Sequence, residues 1–126
     1  MNVLVDTSVW VAHFRQREER LVALLHDGMV VCHPYVVAEI ACGTPPDRRA
    51  VIQMLSDLER ATVATHDEVL ELIERQALYG KGCGLVDLSL LASTLLTEYT
   101  QLWTLDARLM KVAAVLGRAY LPTRQP

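Results

Sequence analysis

Long apolar runs are missing from this chain of 126 residues. The richest stretch, Leu85 to Leu96, is interrupted by Asp87, Ser89, Ser93 and Thr94, and a membrane span needs about 18 apolar residues in succession, so no membrane partner is expected. Cysteine is scarce and odd in number. Cys32, Cys42 and Cys83 show no CxxC spacing, which excludes a disulfide framework and a thiolate zinc site and leaves reduced thiols in a cytoplasm as the expectation. A basic excess is absent too: 12 Lys and Arg face 15 Asp and Glu, a formal net charge of −3 without the global footprint of many nucleic-acid binders. Met1 leads straight into Val3-Leu4-Val5 without a basic n-region or an apolar h-region, so secretion is not expected. His13, His26, His33 and His66 have no ligand spacing, and the glycine loop Gly80–Gly84 lacks the GxxxxGK[ST] pattern of a P-loop.

What is present is apolar bulk. Hydrophobic residues make up 52% and charged residues 21%, a balance that favours a packed core over disorder, and the length suits one domain over residues 1–121 with a polar tail over 122–126. The mean hydropathy of +0.22 fits either a Leu- and Val-rich core or apolar surface covered by a partner.

Strand and helix signals alternate. Val3 to Val5 predicts a strand, and Thr7 or Ser8 then predicts the cap of a helix through Phe14. A helix over Glu18 to Asp27 is stopped by Gly28, and a strand over Met29 to Cys32 follows. Pro34 suits the first turn of an apolar helix through Cys42, broken by Gly43-Thr44-Pro45-Pro46. Asp47 to Glu59 predicts a helix and Ala61 to Val63 a strand. Thr65 with Glu68 forms a capping-box pattern for a helix through Leu78. A helix begins near Leu85, Gln101 to Thr104 predicts a strand, a last helix ends near Leu116, and Ala119 to Leu121 predicts an edge strand. The alternation implies an α/β class with a parallel sheet and helices on both faces.

Four acids stand out by position. Asp6 follows the first strand, Glu39 stands alone on an apolar helix with no Lys or Arg one turn away, Asp87 occupies the first turn of another apolar helix, and Asp106 follows the Gln101 strand. Asp6, Asp87 and Asp106 have a plainer reading as caps or dipole partners of helix starts, whereas Glu39 among its apolar neighbours is harder to dismiss, because a buried carboxylate needs a partner. Together they differ, because ligands in open parallel sheets bind beyond the strand carboxyl ends. Like charges about 4 Å apart repel by about 4 kcal/mol at an effective dielectric near 20. Oxygen-only ligands that relieve this with a cation select Mg²⁺ or Mn²⁺, and phosphodiester hydrolysis is the chemistry such a site fits.

The strings Val-Leu-Val-Asp6-Thr7-Ser8-Val9-Trp10, Val37-Ala38-Glu39-Ile40, Gly84-Leu85-Val86-Asp87 through Ser93, and Leu102-Trp103-Thr104-Leu105-Asp106-Ala107-Arg108-Leu109 resemble, in order and spacing, the PIN domain family and its VapC-type toxins. The resemblance implies a three-layer α/β/α fold with a central parallel sheet of four to five strands. It also implies an endoribonuclease in which Asp6, Glu39, Asp87 and Asp106 hold Mg²⁺ or Mn²⁺ for in-line attack of an activated water on RNA. Ser8 and Thr104 resemble the small polar residues that support those acids. The implied partners are an RNA substrate, a cognate antitoxin and a second copy in a homodimer.

Arg108, Lys111 and Lys81, and also Arg15, Arg17 and Arg20, are available for RNA phosphates, although clusters this short are common on solvated faces. Trp10 and Trp103, each in an apolar segment, are expected in the core, and Cys83 is expected to be the exposed thiol. An aspartyl-phosphate phosphatase also starts with a strand ending in Asp, but it needs a second Asp where this chain has Ser8. The alternative function is a non-catalytic module of the same fold that binds RNA or protein.

Overall fold

Strands β1 (Asn2–Val5), β2 (Val30–Cys32), β3 (Glu59–Arg60) and β4 (Thr100–Trp103) form one parallel sheet in the order β3-β2-β1-β4. The computed structural model describes residues 1–122, so the polar tail expected from residue 122 onward lies outside the described residues except for Pro122. Helices α1 (Thr7–Arg15), α2 (Glu19–His26), α3 (Pro34–Ala41), α4 (Arg48–Asp57), α5 (His66–Arg75), α6 (Leu85–Leu96) and α7 (Ala107–Val115) fill the connections. Two helical groups, α1 with α3 and α4, and α5 with α6 and α7, flank the sheet in the three-layer α/β/α arrangement.

A parallel sheet covered on both faces requires strands that are apolar without alternation. Val3, Leu4, Val5, Val30, Val31, Cys32, Leu102 and Trp103 are accordingly all buried. Trp10 is wholly buried, as its apolar segment implied, and α6 carries an unbroken buried run from Leu88 to Thr94. Ser89 and Thr94 hide their hydroxyls in that run by donating to the carbonyls of Leu85 and Leu90.

The strand order positions the site. From β1 the chain moves to β2 and β3 on one side, whereas β4 pairs on the other side of β1, in register from Asn2 with Thr100 to Val5 with Trp103. The carboxyl ends of β1 and β4 therefore form the switch point at which open parallel sheets leave a crevice. Asp6 and Asp106 emerge there.

Several expected boundaries move. Asp6, rather than Thr7 or Ser8, is the N-cap of α1, since its extended backbone lets its carboxylate accept from Thr7 N. No strand forms over Ala61 to Val63; Glu59 and Arg60 pair with β2, Ala61 N still donates to Cys32 O, and beyond it Thr62 N and Ala64 N donate to hydroxyls of the α6 region, Thr97 Oγ1 and Ser93 Oγ. Helix α5 opens on the expected Thr65–Glu68 box but ends at Arg75, because Ala77 turns left-handed at φ 52 and lets Leu78 N bond back to Ile73. The edge strand at Ala119 is reduced to a single bridge with Leu102. Gly28, at φ 69, ends α2 as its position implied.

Candidate active site

Asp6 leaves β1 with its side chain almost fully buried. Three donors hold it: Thr7 N at 2.8 Å on Oδ1, and Ser8 Oγ at 2.8 Å and Thr104 Oγ1 at 2.7 Å on Oδ2. Thr104, at the end of β4, also accepts from Asp106 N at 3.0 Å, and Ser8 accepts from Leu105 N at 3.0 Å. These two hydroxyls thus lock the carboxyl ends of β1 and β4 together around one carboxylate. Ser8 and Thr104, expected from the sequence to support the acids, both donate to Asp6 Oδ2.

Asp106 caps α7 through Oδ1, which accepts from Arg108 N at 2.9 Å and Leu109 N at 3.1 Å. Asp87 stands at the third position of α6 and accepts from Gly84 N at 3.1 Å through Oδ2. Glu39 differs from the expectation of a buried acid: its side chain is exposed, and its partner is Thr7, whose hydroxyl donates to Oε1 at 2.6 Å. The apolar residues around Glu39 in sequence occupy the other faces of α3, with Val36 and Ile40 in the core. The sequence marks Thr7 as a candidate helix cap and not as a site residue, although its place beside Asp6 is a signal for the second role. Thr7 joins Glu39 to the acids at the sheet.

The plainer reading of three aspartates as helix-start residues is therefore realised, and it does not exhaust them. Asp106 Oδ2, Asp87 Oδ1 and Glu39 Oε2 accept no hydrogen bond among the described residues. The ion pairs there are Arg17–Glu19, His26–Asp27 and Arg75–Glu71, none of which involves the four acids. Burial pushes the Asp87 carboxyl above the usual range; the Gly84 N–H opposes this, and the charges of Asp6 and Asp106 add to it. Asp87 thus senses the charges of Asp6 and Asp106.

This donor set fits a hard divalent cation in kind: carboxylate and hydroxyl oxygens, an unbalanced negative field and unclaimed lone pairs. The side chains are splayed, and among the described residues no three His, Cys, Asp or Glu groups stand close enough to form a ready ligand cluster. To hold an ion jointly, the four acids would have to come closer together than they stand here. A groove of about 350 Å³ lined by Val11, Phe14, Ile40, Pro45 and Pro46 shares only Glu39 with the acids.

Of the cations considered for RNA, Lys81, Arg108 and Lys111 are all exposed. Arg108 touches the glycine loop beside Asp87, since a Cβ placed on Gly82 would lie 2.6 Å from Arg108 Cδ. Arg17 is paired with Glu19, and Arg20 lies 6.0 Å over the Tyr120 ring. Cys83 is half-buried and raised in pKa by burial and by the Asp87 and Asp106 charges; the exposed thiol is Cys42.

A family model described as PIN domain matches residues 3–115, a span that contains all four acids. The chain belongs to the PIN domain family. Within this family it is 46% identical over 117 residues to Ribonuclease VapC32 of Mycobacterium tuberculosis, strain CDC 1551 / Oshkosh, a match covering 93% of this chain and 94% of that protein. The protein of the same name from strain ATCC 25618 / H37Rv matches to the same extent. This PIN chain is thus similar over nearly its full length to a protein named as a ribonuclease.

Proposed function

We propose that this PIN domain chain is an Mg²⁺- or Mn²⁺-dependent endoribonuclease, the toxin of a type II toxin-antitoxin pair, that hydrolyses RNA phosphodiester bonds. The reading is supported by one observation: Asp6 and Asp106 follow the carboxyl ends of the paired strands β1 and β4, burial and the charges of these two raise the proton affinity of Asp87, and none of the three pairs with Lys or Arg among the described residues. The name Ribonuclease VapC32 carried by a relative with 46% identity supports it. A cognate antitoxin, a homodimer and a cytoplasmic site of action belong to the same proposal.

In this reading a bound divalent ion supplies activation of a water and neutralisation of charge on the phosphate. The protein's part is positional. Thr104 and Ser8 fix Asp6 as the rigid member of the set, Thr7 holds Glu39 at the rim, and Asp87 in the first turn of α6 and Asp106 at the N-cap of α7 each keep one carboxylate oxygen unclaimed. Water adds across the P–O3′ bond, leaving a 5′-phosphate on one fragment and a 3′-hydroxyl on the other.

The splay of the carboxylates favours a second reading, a non-catalytic RNA- or protein-binding module. Incubation of purified protein with RNA and Mn²⁺ or Mg²⁺, followed by sequencing of the fragment ends, separates the two. Cleavage that stops with EDTA and with Asp6→Asn supports the nuclease; undiminished metal-dependent cleavage by Asp6→Asn refutes the assignment, and binding without cleavage favours the module.

A further inference from the structure

Arg108 occupies an unusual position for a cation beside uncompensated acids. It follows Asp106 by two residues in α7, and it is close enough to Cys83 for its charge to oppose those of Asp87 and Asp106 there. Yet among the described residues its guanidinium makes no ion pair or side-chain hydrogen bond. The side chain instead lies along the glycine loop. A Cβ on Gly82 would sit 2.6 Å from Arg108 Cδ and 3.1 Å from both Nε and Nη1, and Gly82 itself is left-handed at φ 84. Only glycine satisfies the backbone conformation and the close approach together.

We infer that Arg108, seated on Gly82, is the phosphate-binding residue of this site. The class of ligand is an RNA phosphodiester at or next to the bond that is cut, so the inference rests on the ribonuclease reading. A guanidinium suits this task because its planar fork meets two phosphate oxygens at once, whereas a free ammonium acts as a point charge. Pairing Arg108 with Asp87 or Asp106 would cancel the charge needed for a cation at the acids and for the phosphate alike. The contact with Gly82 keeps the guanidinium against the glycine loop that precedes Asp87 and unpaired among the described residues, with its five N–H donors available to substrate. Gly82 is then a positioning residue, acting through the arginine.

The test is steady-state cleavage of a fluorescent RNA oligomer with Mn²⁺ by wild type, Arg108→Ala, Arg108→Lys, Gly82→Ala and the Gly82→Ala/Arg108→Ala double variant, across a salt series. Arg108→Ala should lower kcat/KM by about 100-fold and flatten the slope of log KM against log salt by about 0.7, the single-strand value for one phosphate contact. Arg108→Lys should restore the slope but not the rate. Gly82→Ala should impair the wild type and add nothing in the Arg108→Ala background. Wild-type kcat/KM in Arg108→Ala, or an equal effect of Gly82→Ala in both backgrounds, would overturn the inference while leaving the nuclease reading standing. Absence of cleavage by every protein, wild type included, would overturn both.

Discussion

Protonation of His33 should destabilise this fold as the pH falls from about 6.5 toward 4. His33 is 1% exposed and sits between β2 and α3. Its Nδ1 accepts from Tyr35 N at 3.0 Å as the cap of α3, which leaves Nε2 to carry the proton and donate to Ser93 Oγ at 3.1 Å. Ser93 Oγ in turn accepts from Ala64 N at 3.0 Å. A second proton on the ring would face the Tyr35 N–H and break the cap. Burial, assisted by the Arg60 charge, lowers the pKa from 6.5 to about 4.

The sign follows from proton counting. Between about 4 and 6.5 the unfolded chain binds a proton that the folded chain refuses, so stability is fully present above pH 6.5 and is lost as pH falls toward 4. At about 1.36 kcal/mol per unit the ceiling is about 3 kcal/mol, and relaxation around the ring will reduce it. Asp87 works in the opposite direction, because its raised pKa makes the folded state take up a proton as the pH falls. The two are separated by urea unfolding of wild type and His33→Asn between pH 7.5 and 4.5. Asparagine retains a capping oxygen but does not titrate. The wild type should lose about 2 to 3 kcal/mol more than the variant over this range. Parallel stability curves for the two proteins would refute the reasoning.

Thr104→Val removes a donor from buried Asp6 and an acceptor from Asp106 N; it should cost about 1 to 3 kcal/mol in urea unfolding and abolish most RNA cleavage at unchanged helical content. Leu91→Ala, at a wholly buried position of α6, should cost about 2 to 5 kcal/mol by the same measurement. Cys42, the exposed thiol, should react with a thiol-specific dye in the native protein, whereas Cys32, buried and raised to about 11, should react only on unfolding.

Much of this architecture was legible because β1, β2 and β4 carry short apolar runs, and those of β1 and β4 are closed by residues with a distinct role. Val3 to Val5 followed by Asp6, and Leu102 to Thr104 followed by Asp106, show both the sheet and its chemical end. The capping box at Thr65 and Glu68 is a local signal with its own hydrogen bonds, and it held in the structure. What escaped depends on distant partners. The strand at Glu59 is exposed and charged, and it forms only because the edge of β2 is there to pair with it. Ala77 ends α5 in a left-handed turn that sequence reading expects of glycine. Glu39 looked buried from its neighbours, but on a helix those neighbours face elsewhere, and Thr7 meets it from 32 positions away in the chain. The buried role of His33 was equally hidden, since Ser93 lies 60 positions away.

On the proposed reading, Asp6, Asp87 and Asp106 belong to one site, and a divalent cation would offset the charge that Asp6 and Asp106 impose on Asp87. Thermal unfolding of wild type and Asp87→Asn, each with and without saturating Mn²⁺, tests it most directly. The asparagine amide would retain an oxygen for Gly84 N while removing the charge that Asp6 and Asp106 oppose. The variant should therefore melt higher than the wild type without metal, and Mn²⁺ should raise the wild type by several degrees and leave the variant unmoved. A wild type indifferent to Mn²⁺, or a variant stabilised by it equally, would contradict the account.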